Sequence, residues 1–112
     1  MNKYTKLSDF EINRRIAEID TKNRYVYFEK EQTIFRKFNN GQTQKFNPCN
    51  YPSDAWQLIL EAKLSINPDF NNDCESWIIR NIHIPMVSET NLSRGISIAY
   101  LLMKDKENSN GN

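Results

Sequence analysis

Residues 7–38 read LSDFEINRRIAEIDTKNRYVYFEKEQTIFRKF, and the apolar period changes halfway along them. In the first half Ser8 stands just before the apolar run and Glu11 follows three residues later. That is the spacing of a capping box, in which each side chain bonds the other's backbone N–H. Leu7 before the cap and Ile12 four residues after it fit a hydrophobic staple. Ile12, Ile16 and Ile19 recur at spacings of 4 and 3, one face of a short amphipathic helix, with Phe10 beside them. Arg14, Arg15 and Glu18 fall mostly elsewhere. The second half is aromatic and β-branched. RYVYFEK (24–30) and TIFRKF (33–38) read as two strands of a hairpin joined through Glu31 and Gln32. Tyr25 and Tyr27 point to one side of the first strand, Val26 and Phe28 to the other. Asn39-Asn40-Gly41 then supplies turn chemistry, because Asn and Gly tolerate positive φ. A capped helix running into a hairpin places the chain in the α+β class.

The next informative stretch is FNPCNYPSDAWQLILEAK, residues 46–63. Pro48 and Pro52 hold the residues before them extended, and Asn47 and Asn50 can close Asx turns. Phe46 to Pro52 therefore reads as a rigid loop pinned by Phe46 and Tyr51. Two caps compete for the following helix, expected over about 54–63. Asn50 could cap with Pro52 early in the first turn. Alternatively Ser53 caps, with Asp54 first in the helix at the positive end of its dipole. Trp56, in the first turn, is placed to cover the loop. Asn67-Pro68-Asp69 and Asn71-Asn72-Asp73 punctuate a loop. SWIIRNIHI (76–84) reads as a strand apolar on both faces, hence buried on both, and Pro85 stops it. The last helix starts near Asn91, a good cap, and runs to about Lys106. Its stretch Ile98 to Met103 has no polar side, which suits the centre of a core or an oligomer interface.

The whole reads as one small α+β domain over residues 1–106: helix, β-hairpin, helix, strand, helix, with a small antiparallel sheet. Residues 107–112, ENSNGN, form a polar, disordered tail. The core is expected on Phe10, Ile12, Ile16, Phe46, Trp56, Ile59, Trp77, Ile79, Ile98 and Leu102.

A chain of 112 residues with 38% hydrophobic and 26% charged residues fits one soluble globular domain. No stretch approaches the ~20 apolar residues of a membrane span, and MNKYTKLSDF has no apolar segment of a secretion signal. The expected compartment is a cytoplasm, with both cysteines reduced. Net charge is +1, too small to steer the molecule as a whole to nucleic acid or membrane. The halves differ, however. Residues 1–50 hold ten Lys+Arg against six Asp+Glu, a balance of +4, and residues 51–112 hold five against eight, a balance of −3.

Several chemistries can be weighed on spacing. Cys49, Cys74 and His83 are the candidate metal ligands, but there is no Cys-x-x-Cys pair and only one histidine, so no metal and no other cofactor is expected. Cys49 with His83 and Asp54 or Asn50 could be drawn as a triad, yet triads are recognised by geometry, not by composition. Glycines at 41, 95 and 111 cannot make a phosphate-binding loop. The rigid loop before the second helix can present free N–H groups to a partner's acidic group. Its candidate residues are Asn47, Cys49, Asn50, Tyr51, Asp54 and Trp56, although turn and cap chemistry alone explains most of them. Lys3, Lys6, Arg14, Arg15, Lys22 and Arg24 gather near Tyr4, Tyr25 and Tyr27, which is a pattern of phosphate contact and base stacking. Glu11, Glu18 and Asp20 dilute it.

Three blocks also carry a resemblance. LSDFEINRRIAE, FNPCNYPSDAWQLILEAKLSI and NLSRGISIAYLLM are similar, in the same order, to blocks of the NinX-like family of tailed-bacteriophage and prophage proteins. The middle block is the most specific, with Pro48, Cys49, Asn50, Pro52, Ser53, Asp54, Ala55 and Trp56 in place. Asn47 stands where the family usually has aspartate, Tyr51 where it has asparagine, Gln57 where it has proline, and Leu92 where it has proline. A proline at 57 favours Ser53 over Asn50 as the cap, and Asn47 weakens any acid–base or metal role at that position. The resemblance implies a phage-encoded accessory protein in an infected or lysogenic bacterial host, and brings no catalytic residue with it. With no convincing catalytic constellation, the expected function is non-enzymatic binding of a host or phage protein, touching host defence or early phage metabolism. Aromatics such as Tyr25, Tyr27 and Phe35 would serve as anchors and the hairpin edge as a pairing strand; the last helix could support a homodimer. Nucleic-acid binding through Arg14, Arg15, Lys22 and Arg24 is the alternative.

Overall fold

The computed structural model describes residues 2–71 and 75–110. Their element order is α1 (Asp9–Ile19), β1 (Arg24–Phe28), β2 (Thr33–Lys37), β3 (Thr43–Lys45), α2 (Pro52–Ala62), β4 (Ser65–Pro68), β5 (Trp77–Arg80), β6 (Val87–Glu89) and α3 (Leu92–Asn110). The class is α+β, with two three-stranded antiparallel sheets, β1-β2-β3 and β4-β5-β6. The chain divides into two compact units, Met1–Asn47 and Pro48–Asn112.

In the first unit Ser8 caps α1 as expected, and of the expected box its half of the exchange is seen. Ser8 Oγ accepts from the Glu11 N–H at 3.1 Å, and α1 buries Phe10, Ile12, Asn13, Ile16 and Ala17. The hairpin turns through Gln32 at φ +55°, its N–H donating to the Glu29 carbonyl at 3.2 Å. Gly41 at φ +87° reverses the chain again and returns β3 to β2, a strand not expected from the sequence. Residues paired across strands share a face. Tyr25, Arg36 and Gln44, with Tyr27 and Ile34, therefore face one side. That side meets α1: Ile34 is 1% exposed, and the Arg14 guanidinium lies 5.5 Å over the Tyr27 ring. Arg24, Lys37 and Thr43, then Val26, Phe35 and Lys45, then Phe28 and Thr33 form three rows on the opposite side.

In the second unit α2 starts at Pro52, with extended Tyr51 in the cap position and no side-chain cap bond. Neither Asn50 nor Ser53 caps. Proline fits the first helical position because its fixed φ is already helical and the N–H it lacks would have no partner there. The helix ends on Lys63, which takes a left-handed φ of +53°. β5 is shorter than the expected strand over 76–84. Asn81 interrupts it: its Nδ2 donates to the Ala62 carbonyl at 3.2 Å, and its Oδ1 accepts from the His83 N–H at 2.9 Å. Such local side-chain bonding competes with a strand ladder. Ile78 and Ile79 are buried on the two faces of β5 as expected, whereas Ile82 is 94% exposed on the turn beyond it. β4 and β6 flank β5 on its two edges and were not expected. Pro68 was read as loop; it ends edge strand β4, a position where a missing N–H is tolerated.

α3 is capped by Asn91, whose Oδ1 accepts from the Arg94 N–H at 3.2 Å. Residues 95–101 are buried without interruption, against α2, β5 and β6. Ser97, 0% exposed, satisfies its hydroxyl by donating to the Ser93 carbonyl at 2.9 Å. The helix runs to Asn110, four residues past the expected end, and Lys104 pairs with Glu107 across the added turn at 3.3 Å. Residues 111–112 of the expected tail lie outside the described residues, as do Asn72, Asp73 and Cys74. Of the expected core, Phe10, Ile12, Ile16, Phe46, Ile79 and Ile98 are buried, and Ile59, Trp77 and Leu102 are half-buried. Trp56 is 57% exposed and is no part of the core. No described helix is long and apolar enough to cross a membrane.

Candidate functional site

The candidate loop residues are split by the boundary between the units. Asn47 closes the first unit, where its Oδ1 accepts from the buried Asn13 Nδ2 at 2.8 Å. An aspartate at this position would accept the same bond. The others belong to the second unit. Cys49 is fully buried, a position that offers no thiol to solvent. Asn50 accepts from Asn91 Nδ2 at 3.3 Å, which ties the loop to the residue capping α3. Tyr51 is half-buried; its carbonyl receives the N–H groups of Asp54 and Ala55 at 3.0 and 3.1 Å, opening α2. Asp54 sits in the first turn, where its charge suits the helix dipole.

Trp56 differs from the rest. α2 buries Ala55, Leu58 and Ala62 and turns Trp56 outward. Leu60, four residues on, is 54% exposed, and residues four apart on a helix are neighbours. The pair makes an apolar stripe on solvent, with exposed Ser53 and Gln57 beside it. The sequence offered Trp56 both as core and as a binding candidate; its exposure removes the first. The signal was present: a helix that buries 55, 58 and 62 must expose 56 and 60.

The basic candidates are also sorted by the fold. Arg14 donates to Glu29 Oε1, lies 3.8 Å from Glu18, and stacks over Tyr27. Arg15 lies 5.8 Å over the ring of Tyr4, itself 3% exposed. Arg14 therefore serves the packing of α1 on its sheet, and Arg15 that of α1 on the N-terminal turn. Lys22 and Arg24 are exposed. On the same covered face Arg36 stacks on Phe46 and Tyr25, at 5.2 and 5.9 Å, and its buried Nε has no hydrogen-bond partner. The Tyr25 hydroxyl donates to Asp20 Oδ2 at 2.5 Å. Burial, then the hydrogen bond to Asp20, pushes the Tyr25 phenol up to about 12. Burial alone would raise the Asp20 carboxyl, but its bonds from Tyr25, Asn23 and two backbone N–H groups outweigh that and leave it below its usual value. Burial and the Glu18 charge raise Tyr27. Tyr25 and Tyr27 are thus half-buried and engaged, while Phe28 and Phe35 share the outward face. Among the described residues no three His, Cys, Asp or Glu side chains gather as metal ligands.

A family model described as "Bacteriophage P22, NinX" matches residues 3–104. No curated protein matches the chain, and no solved structure does.

Proposed function

The chain belongs to the NinX family of bacteriophage P22, and from that premise we propose that it is a non-enzymatic phage accessory protein that acts by binding a host or phage protein in the bacterial cytoplasm. The observation carrying this reading is the Trp56–Leu60 stripe. It lies within the most specific of the three resembling blocks, and it leaves a tryptophan 57% exposed. Exposing so large an apolar side chain forgoes roughly 1–2 kcal/mol of burial. Large aromatics at helix positions i and i+4 are typical anchors for a partner's groove. Of the loop residues, Tyr51 and Asp54 support this stripe by fixing the start of α2.

The test is affinity capture from nuclease-treated lysate of phage-infected host, comparing the wild-type chain with Trp56→Ala/Leu60→Ala. Both positions face solvent, so the variant should keep its melting temperature. A protein held by the wild type and lost by the folded variant supports the reading. Equal recovery by both chains rejects this surface, and recovery of nothing rejects stable protein binding.

A further inference from the structure

The outer face of the β1-β2-β3 sheet has a composition that its fold does not require. A sheet with one face packed on a helix normally turns polar residues to water on the other. Here the central row carries Val26 and Phe35, and the row beside it Phe28. Phe28 is 44% exposed and its ring meets that of Phe35 edge-on, with centroids 5.7 Å apart at 86°. Phe28, Glu31, Thr33, Phe35 and Lys45 line an open concavity of about 360 Å³. Arg24, Lys37 and Lys45 stand on the same face, all exposed, and none is in an ion pair among the described residues. The acidic groups of this unit that could have balanced them are engaged elsewhere: Glu18 and Glu29 with Arg14, and Asp20 with Tyr25 and Asn23. Glu31 alone stands at the rim.

We propose that this face binds single-stranded nucleic acid, with bases stacked on Phe28 and Phe35 and backbone phosphates held by Arg24, Lys37 and Lys45. Rows two residues apart along a strand lie roughly 6.7 Å apart, so the face passes in short steps from the cations Arg24 and Lys37, through the mixed row of Phe35 and Lys45, to the Phe28 ring. A single strand offers a flat π face and a negative charge in every repeat, which suits a face that carries both rings and unpaired cations. A duplex hides its base faces. An acidic peptide has to carry its apolar and charged groups on different residues. The surface is separate from the Trp56–Leu60 stripe and stands or falls independently of it.

Polarisation of a labelled oligodeoxythymidylate of about 12 nucleotides, a length within the usual site sizes, measures the binding with the full chain. Three phosphate contacts predict that affinity falls about twentyfold between roughly 50 and 200 mM salt. Phe28→Ala should weaken binding on the order of tenfold, the loss of one stacked base. Lys45→Ala should flatten the salt dependence by about one contact, and Trp56→Ala should leave it unchanged. Circular dichroism melts show that each variant is folded. Four outcomes overturn the proposal: no binding at low salt, a duplex bound as well as the single strand, folded Phe28→Ala binding like wild type, or a glutamate-rich peptide displacing the oligonucleotide at equal charge.

Discussion

At Cys49 burial decides the chemistry. Between two prolines and with 0% exposure, its sulfur is a small apolar filler. Buried cysteines are inert because a reagent must wait for the chain to open. Labelling of Cys49 by a thiol-specific disulfide reagent should therefore be slow in the native protein and speed up only across the unfolding transition; Cys74→Ser isolates the signal. Native-state labelling at the rate of a free thiol would show Cys49 to be accessible and return it to the list of nucleophiles. Tyr25 is a second residue whose environment fixes its behaviour. Its folded pKa, about 12, lies above the ordinary 10.0. The stabilisation this carries is complete below pH 10 and is lost as pH rises from there towards 12. Melting temperature should fall across that window, and less so in Tyr25→Phe. Asp20→Asn replaces the carboxylate that holds the phenol neutral, so the Tyr25 titration at 295 nm should move back towards 10. An unmoved titration would mean that burial alone raises it.

Gly95 reports how tightly α3 lies on its sheet. A Cβ there would come 2.6 Å from Ile79 Cδ1 and 3.1 Å from Glu89 Cβ. Alanine in a helix interior gains up to ~1 kcal/mol over glycine, while overpacking a filled site costs about 1–3 kcal/mol. Ile79 is 0% exposed and has little room to yield, so the cost should win. Gly95→Ala is expected to lose about 1 kcal/mol in urea denaturation, and any gain in stability would show that the Ile79 side chain moves aside freely. The same element shows what can be read from sequence. α3, α1 and the hairpin were legible because each depends on local signals: the Asn91 cap, the Ser8 cap, the aromatic strands around Glu31-Gln32. β3, β4 and β6 were not. They are three or four residues long and partly polar, and only pairing with a neighbour makes them strands. The start of α2 was misread because two good capping residues flank it, while the backbone uses Tyr51 and a proline. Trp56, expected to cover the loop and join the core, instead follows the phase of a helix whose buried side holds Ala55, Leu58 and Ala62.

For the whole molecule, the net charge of +1 conceals a division. Residues 48–50 are uncharged, so the +4 of the first fifty residues belongs entirely to the first unit and the −3 to the second. The small basic excess is therefore concentrated in fewer than half of the residues, and the fold concentrates it further by pairing Arg14 on the α1 side and leaving Arg24, Lys37 and Lys45 on the other. The units differ in core as well. The second buries residues 95–101 of α3 with Leu58, Ile78, Ile79 and Val87, and the first relies on Tyr4, Phe10, Ile12, Ile16, Ile34 and Phe46. Chains of about 60 residues can fold alone, while those near 40 usually need further support. A fragment of residues 48–112 is thus expected to keep helical circular dichroism and melt cooperatively, and a fragment of residues 1–47 to show no cooperative transition. Hydrogen exchange on the intact chain should rank the units the same way, with α3 amides the slowest. A cooperative melt of the 1–47 fragment would mean that the Ser8 cap and the twice-turned sheet stabilise that unit by themselves, and local signals would then outweigh core size in this protein.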